Sequence, residues 1–188
     1  ATRNIFQYWD LIPRSLRPYF VKRFCFYGPE STGKSVMAKR MAEKFKTQLV
    51  PEVAREFITS NDFSVDDIIN IGKAQTRCVQ EKTRTANKIL FCDTDVITTQ
   101  IYSQQYLGVV PQVLRQLEKK IHYEQYFLFD VDVPWVADGL RDLGHKRKEM
   151  FNIFRDALER RKIRYVLING DWEQREADVV QIIEEYLR

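Results

Sequence analysis

The sequence predicts an α/β fold, a three-layer sandwich in which a five-stranded parallel sheet is covered by helices on both faces. Three observations carry the prediction. Short apolar runs alternate with longer segments of helical period between residues 21 and 188. The glycine-bearing stretch GPESTGKS, residues 28–35, lies between the first apolar run and the first helical segment. Residues suited to chemistry also recur just past the ends of several runs. Strands buried on both faces read as such continuous apolar runs, and parallel neighbours need long crossovers, usually helices.

Taken in order, residues 1–20 hold Tyr8, Trp9, Pro13, Pro18 and Tyr19 with neither a helical nor an alternating period, so they read as an arm or linker. The domain proper is expected over 21–188. VKRFCFY (21–27) is the first strand and KSVMAKRMAEKF (34–45) the first helix. TQLVP (47–51) is a second strand, VDDIINIGKAQTRCVQEKTR (65–84) a long helix, and KILFC (88–92) a third strand. Two helices then follow, in DTDVITTQIYSQQYL and PQVLRQLEKKI. YFLFDVD (126–132) is the fourth strand, and a basic segment runs on to Lys148. KEMFNIFRDALERR (148–161) is an amphipathic helix, RYVLIN (164–169) the fifth strand, and DWEQREADVVQIIEEYLR the closing helix. Ligands of open α/β sheets bind outside the carboxyl ends of the strands. Gly28, Glu52, Asp93, Asp132 and Gly170 all fall there, so five loops should meet at one crevice.

Composition sets the class. The chain has 188 residues, 44% of them hydrophobic and 13% aromatic, as expected of one ordered globular domain. Thirty basic and 26 acidic residues leave a net charge of +4 spread along the chain, which nucleotide phosphates would satisfy. A nucleic-acid module would need a concentrated basic face with aromatics, whereas the cations here alternate with acids. Three cysteines, Cys25, Cys78 and Cys92, lack framework spacing and read as free thiols. No run has the length of a membrane span and no start resembles a signal peptide, so a cytoplasmic location is expected.

GxxxxGK[ST] is met in full by Gly28, Gly33, Lys34 and Ser35, between a strand and a helix as the P-loop requires. The fold class is therefore that of the P-loop NTPases, with ATP and Mg²⁺ as expected cofactors. The glycines let backbone N–H groups turn toward phosphate oxygens, and the helix offers its positive end. Lys34 should reach the β- and γ-phosphates and Ser35 should hold Mg²⁺ through its hydroxyl. Glu30, Ser31, Thr32 and Val36 complete the nucleotide-binding set. Asp93, directly after the third strand, is positioned as a metal ligand. Asp95 suits either a ligand or the cap of the helix beginning at Val96. Glu52 ends the second strand and is a candidate general base, followed by Arg55, which suits either the substrate or an ion pair.

Residues 135–150, WVADGLRDLGHKRKEM, read as a lid that closes over polyphosphate and excludes water. Within it Arg141 is a candidate catalytic cation, Asp138 a substrate contact and Trp135 either a stacking partner or packing. Asn169 and Arg175, after the fifth strand, are candidate adenine contacts, with turn and helix-cap roles as the alternative for this loop. Tyr102 and Tyr106, four apart on one helix face, read as core or rim. No NKxD guanine motif is present, since NKIL (87–90) lacks the aspartate, and Thr94 stands where many ATPase motors carry a glutamate. Both features favour a kinase over a nucleotide switch or a regulatory ATPase.

GPESTGKS, PEVAREF, LFCDTD, PWVADGLR and NGDWEQR, in this order, closely resemble the ribosylnicotinamide kinase domain of NadR-type proteins over residues 21–188. The resemblance implies transfer of the ATP γ-phosphate to the 5′-hydroxyl of nicotinamide riboside, giving nicotinamide mononucleotide, with Mg²⁺. It assigns substrate, metal and lid roles to Glu52, Asp93, Asp95, Trp135 and Arg141. Pro51 departs from the pattern, because some members carry a tryptophan before that glutamate. Residues 4–23, NIFQYWDLIPRSLRPYFVKR, also look like the connector by which bifunctional members join this domain to an upstream adenylyltransferase.

Overall fold

A computed structural model describes residues 4–58, 62–136 and 143–188. Five strands, β1 (Lys22–Tyr27), β2 (Gln48–Val50), β3 (Ile89–Asp93), β4 (Gln125–Phe129) and β5 (Tyr165–Ile168), form one parallel sheet in the order β2-β3-β1-β4-β5. This is the predicted fold class. The helices are α1 (Lys34–Lys44), α2 (Ala54–Phe57), α3 (Val65–Thr83), α4 (Val96–Leu107), α5 (Gln112–Glu118), α6 (Arg147–Arg160) and α7 (Trp172–Leu187).

Alternation along the strands divides the core. Phe24 and Phe26 of β1, Phe91 of β3 and Phe127 and Phe129 of β4 point to one face, against Met37, Ala38 and Met41 of α1 and Val179 and Ile183 of α7. Register places Phe24 beside Phe91 and Phe26 beside Phe127, so the rings form a continuous layer with centroids 5.4–6.1 Å apart. Fully burying each such ring stabilises the fold by about 1.5–3 kcal/mol before chain entropy is counted. On the opposite face Cys25, Tyr27, Tyr126 and Leu128 meet Ile97 and Ile101 of α4 and Phe154 and Leu158 of α6. Val50, Leu90 and Cys92 meet α3 through Val79. Cys25 and Cys92 are buried, Cys78 is half-buried, and all three are free thiols.

Two differences from the sequence reading have local causes. The fourth strand stops at Phe129 rather than Asp132, because the Val131 N–H donates to the Asp130 carboxylate at 2.6 Å and Asp132 turns to the Gly170 N–H at 2.7 Å. The arm is also structured: 3₁₀ turns span Ile5–Leu11 and Arg17–Tyr19. Phe6 and Trp9 are buried against Val21, Val50 and Leu90, with Ile12 packed beside them. A three-residue turn puts positions 6, 9 and 12 on one side, a repeat the 3.6-residue template does not match. Among the described residues no helix is long and apolar enough to cross a membrane.

Candidate active site

β1 ends at Tyr27 and the chain turns at once through Gly28, whose φ of +136° favours glycine and whose absent Cβ would lie 2.9 Å from the Phe129 carbonyl oxygen. Gly33, at φ +86°, begins α1 with no side-chain cap, so the first-turn N–H groups of that helix face the loop. A Cβ there would meet Trp172 at 2.9 Å, which explains the second glycine. The Lys34 ammonium is folded over the loop, donating to the Pro29 carbonyl at 2.6 Å and to Thr32 Oγ1 at 3.4 Å. Ser31 ties the loop to the segment after β4: its hydroxyl accepts from the Val136 N–H at 2.8 Å, and its carbonyl accepts from Arg147 at 3.4 Å.

Gly28, Glu30, Ser31, Thr32, Gly33, Lys34, Ser35 and Val36 all line one cavity of about 550 Å³. Glu52, Ala54 and Arg55 line it from the end of β2, Ile68, Ile71 and Gln75 from α3, and Thr98, Thr99, Tyr102 and Tyr106 from α4. Glu52 and Arg55 are partly exposed and paired, with Arg55 Nε 2.8 Å from the carboxylate. The glycine-bearing loop and a largely apolar, aromatic-edged chamber therefore share one space. Tyr102 and Tyr106 are stacked at 6.3 Å, and Phe63 sits edge-on to Tyr106 at 5.3 Å.

Asp93 ends β3 almost fully buried. Its pKa is pushed up to about 6, chiefly by burial; Lys34 and the Ser35 hydroxyl oppose the shift and Glu52 adds to it. One of its carboxylate oxygens is buried with no hydrogen-bond partner. An orphaned hard oxygen beside a serine hydroxyl at the phosphate loop fits a magnesium ion, which takes few protein ligands and completes its shell with phosphate and water. Among the described residues no group of three or more His, Cys, Asp or Glu forms a cage of protein ligands.

Several residues expected at the site are placed elsewhere. Asp95 is the N-cap of α4: its carboxylate accepts from the Thr98 N–H at 3.0 Å and from the Tyr126 hydroxyl at 2.8 Å, away from the cavity. Arg175 is fully buried and turned inward, which corrects its expected adenine contact. Its guanidinium donates to the carbonyls of Thr32 (2.9 Å), Gly170 (2.9 Å) and Asp130 (3.4 Å) and to the Asp132 carboxylate, clamping the phosphate loop from below. Asn169 is exposed outside the cavity lining, and Asp171 caps α7 through the Gln174 N–H at 2.9 Å. Trp135 stacks on Arg147 at 5.7 Å and packs against Gly144, lining a small neighbouring cleft rather than the main cavity. Asp138 and Arg141 lie outside the described residues.

Other lining residues were not singled out from the sequence. Gln75, Thr98 and Thr99 came from helices read as packing, and Trp172 from the start of the last helix. One signal was available: Gln75 continues the apolar stripe of Ile68 and Ile71 at helical spacing, where a polar side chain is out of pattern.

A family model described as an AAA domain matches residues 23–175. The chain is 32% identical over 195 residues to the trifunctional NAD biosynthesis/regulator protein NadR of Escherichia coli (strain K12), an alignment covering 98% of this chain and 47% of that one. The chain thus spans about half the length of the curated relatives it matches. A crystal structure of NadR protein in complex with NR superimposes with a TM-score of 0.88 at 21% identity, covering 98% of this chain and 56% of that one. NadR protein in complex with NAD and AMP-PNP gives 0.85 at 20% identity, covering 98% and 54%. Those superpositions establish the fold, that of P-loop kinases with the 2-3-1-4-5 sheet. Since the matched segment runs from β1 into α7 and takes in the phosphate loop, Asp93 and the Arg175 clamp, the chain belongs to the AAA domain family.

Proposed function

We propose that this domain is an ATP- and Mg²⁺-dependent kinase that phosphorylates the 5′-hydroxyl of nicotinamide riboside to give nicotinamide mononucleotide, a step of NAD salvage. The observation that carries the reading is the shared cavity. The phosphate loop and the Tyr102–Tyr106–Phe63 wall line the same space, with Glu52 and Arg55 also on its lining. A donor on the loop and a flat, hydroxyl-bearing acceptor against the tyrosines would meet within it. The relatives' names support the acceptor: one is a NAD biosynthesis protein, and a NadR protein of the same fold is complexed with NR and another with AMP-PNP.

In this mechanism the α1 N–H groups and Lys34 bind the β- and γ-phosphates, so Lys34 exchanges its Pro29 contact for phosphate oxygen. Ser35 and Asp93 would hold Mg²⁺, which neutralises charge on the phosphates. Glu52 accepts the proton of the attacking hydroxyl, while Arg55 orients that carboxylate. Phosphoryl transfer relies mainly on positioning and electrostatics, so the loop geometry carries most of the rate. The lid assignment of Arg141 and the substrate contact of Asp138 are further parts of the proposal, as is a linked adenylyltransferase domain preceding the arm. Incubation with ATP, Mg²⁺ and nicotinamide riboside should yield nicotinamide mononucleotide and ADP in equal amounts. Failure to form the mononucleotide, with another nucleoside phosphorylated instead, would replace the acceptor and keep the kinase.

A further inference from the structure

Gln75 lies on α3, seven residues after Ile68 and four after Ile71, on a stripe whose neighbours are apolar. Its side chain is 2% exposed and lines the cavity. The orientation of its amide is determined, because Oε1 accepts from the Val53 N–H at 3.2 Å and a backbone N–H can only donate. Nε2 is therefore the remaining end, and it is buried with no hydrogen-bond partner. A buried donor left unpaired costs about 1–3 kcal/mol. The Val53 N–H uses only the amide oxygen, so that contact gives the nitrogen no part in the fold. The cavity wall also includes Phe63, Ile71 and Tyr106, which suit a flat ring.

We propose that Gln75 is the specificity-determining residue for the acceptor: Nε2 donates to a carbonyl oxygen carried by the base of the bound nucleoside. The ligand class is a nucleoside whose planar base presents an amide-type oxygen at its inner edge. This rests on the reading of the cavity as a nucleoside site. A ring without that oxygen would leave the donor bare in the complex, and sites built to hydrogen-bond a substrate group discriminate strongly against analogues that lack it.

The test compares nicotinamide riboside with pyridine riboside, which has the same cationic ring and sugar and no carboxamide. The wild-type domain should prefer nicotinamide riboside in kcat/KM by about 10- to 100-fold or more. In Gln75→Met that ratio should fall to near one, through a loss on nicotinamide riboside larger than any change on pyridine riboside. If Gln75→Met does not fold, Gln75→Glu at pH 8.5 keeps the acceptor for Val53 and removes the donor, and it should show the same collapse. A variant ratio equal to the wild-type ratio, or equal losses on both ribosides, overturns the role of Gln75 while leaving the kinase reading intact. A wild-type domain that phosphorylates neither riboside overturns the nicotinamide riboside reading and this inference with it.

Discussion

At the scale of single residues, two aspartates of one motif show how one chemical type serves different ends. Asp93 and Asp95 stand two apart after the same strand, and burial raises both to about 6. A protonated Asp93 binds Mg²⁺ poorly, so the Mg²⁺ concentration giving half-maximal rate should rise as the pH falls below about 6; a half-maximal concentration unchanged down to pH 5 would contradict its role. Asp95 is held by Thr98 and Tyr126, and its effect should appear in stability instead. Its pKa rises from 3.8 to about 6 on folding, so between those values the folded state binds more protons and stability falls as pH rises. An amide can keep the cap without that charge. Asp95→Asn should therefore gain on the wild type by up to about 3 kcal/mol between pH 4 and pH 7, read from denaturant midpoints at the two pH values. The motif LFCDTD was legible with Asp93 as the metal ligand, but Asp95 stayed open between ligand and cap, because its second partner, Tyr126, lies across the sheet, 31 residues away. Arg175 was misread for the same reason: beside a turn it resembles a ligand contact, and its burial follows only from the approach of Thr32 and Asp132.

Among the elements, the strands were the most legible, since their apolar runs are short, continuous and bounded by polar turns. The helix α2, with four residues, is too short for any periodic signal. The packing of the arm was not legible from its missing period, and it has a measurable consequence. Trp9 is 3% exposed and closes the outer end of the cluster formed by Val50, Leu90 and Cys92. Trp9→Ala should destabilise the domain by about 3–5 kcal/mol, visible as a lowered denaturation midpoint. An unchanged midpoint would show that residues 4–12 are dispensable to the core. The phosphate loop was legible because its motif is local, and the cavity opposite was not, because α3 and α4 contribute it through side chains that sequence alone assigns to packing.

Across the whole molecule, the sheet order places β1 at the centre, with β3 on one side and β4 on the other. The loops after β1, β2 and β4 thereby line a single cavity, with Asp93 buried at the end of β3 beside the phosphate loop. Arg175 and Arg147 tie that loop to the segment after β4, so the phosphate loop is braced from two sides. The most direct test is the rate of ADP release with ATP and Mg²⁺, measured with and without nicotinamide riboside and repeated for Lys34→Ala. The account predicts a low rate alone, strong stimulation by the riboside and loss of that stimulation in Lys34→Ala with the fold retained. Equal ADP release with and without every nucleoside tried would contradict it and identify an ATPase.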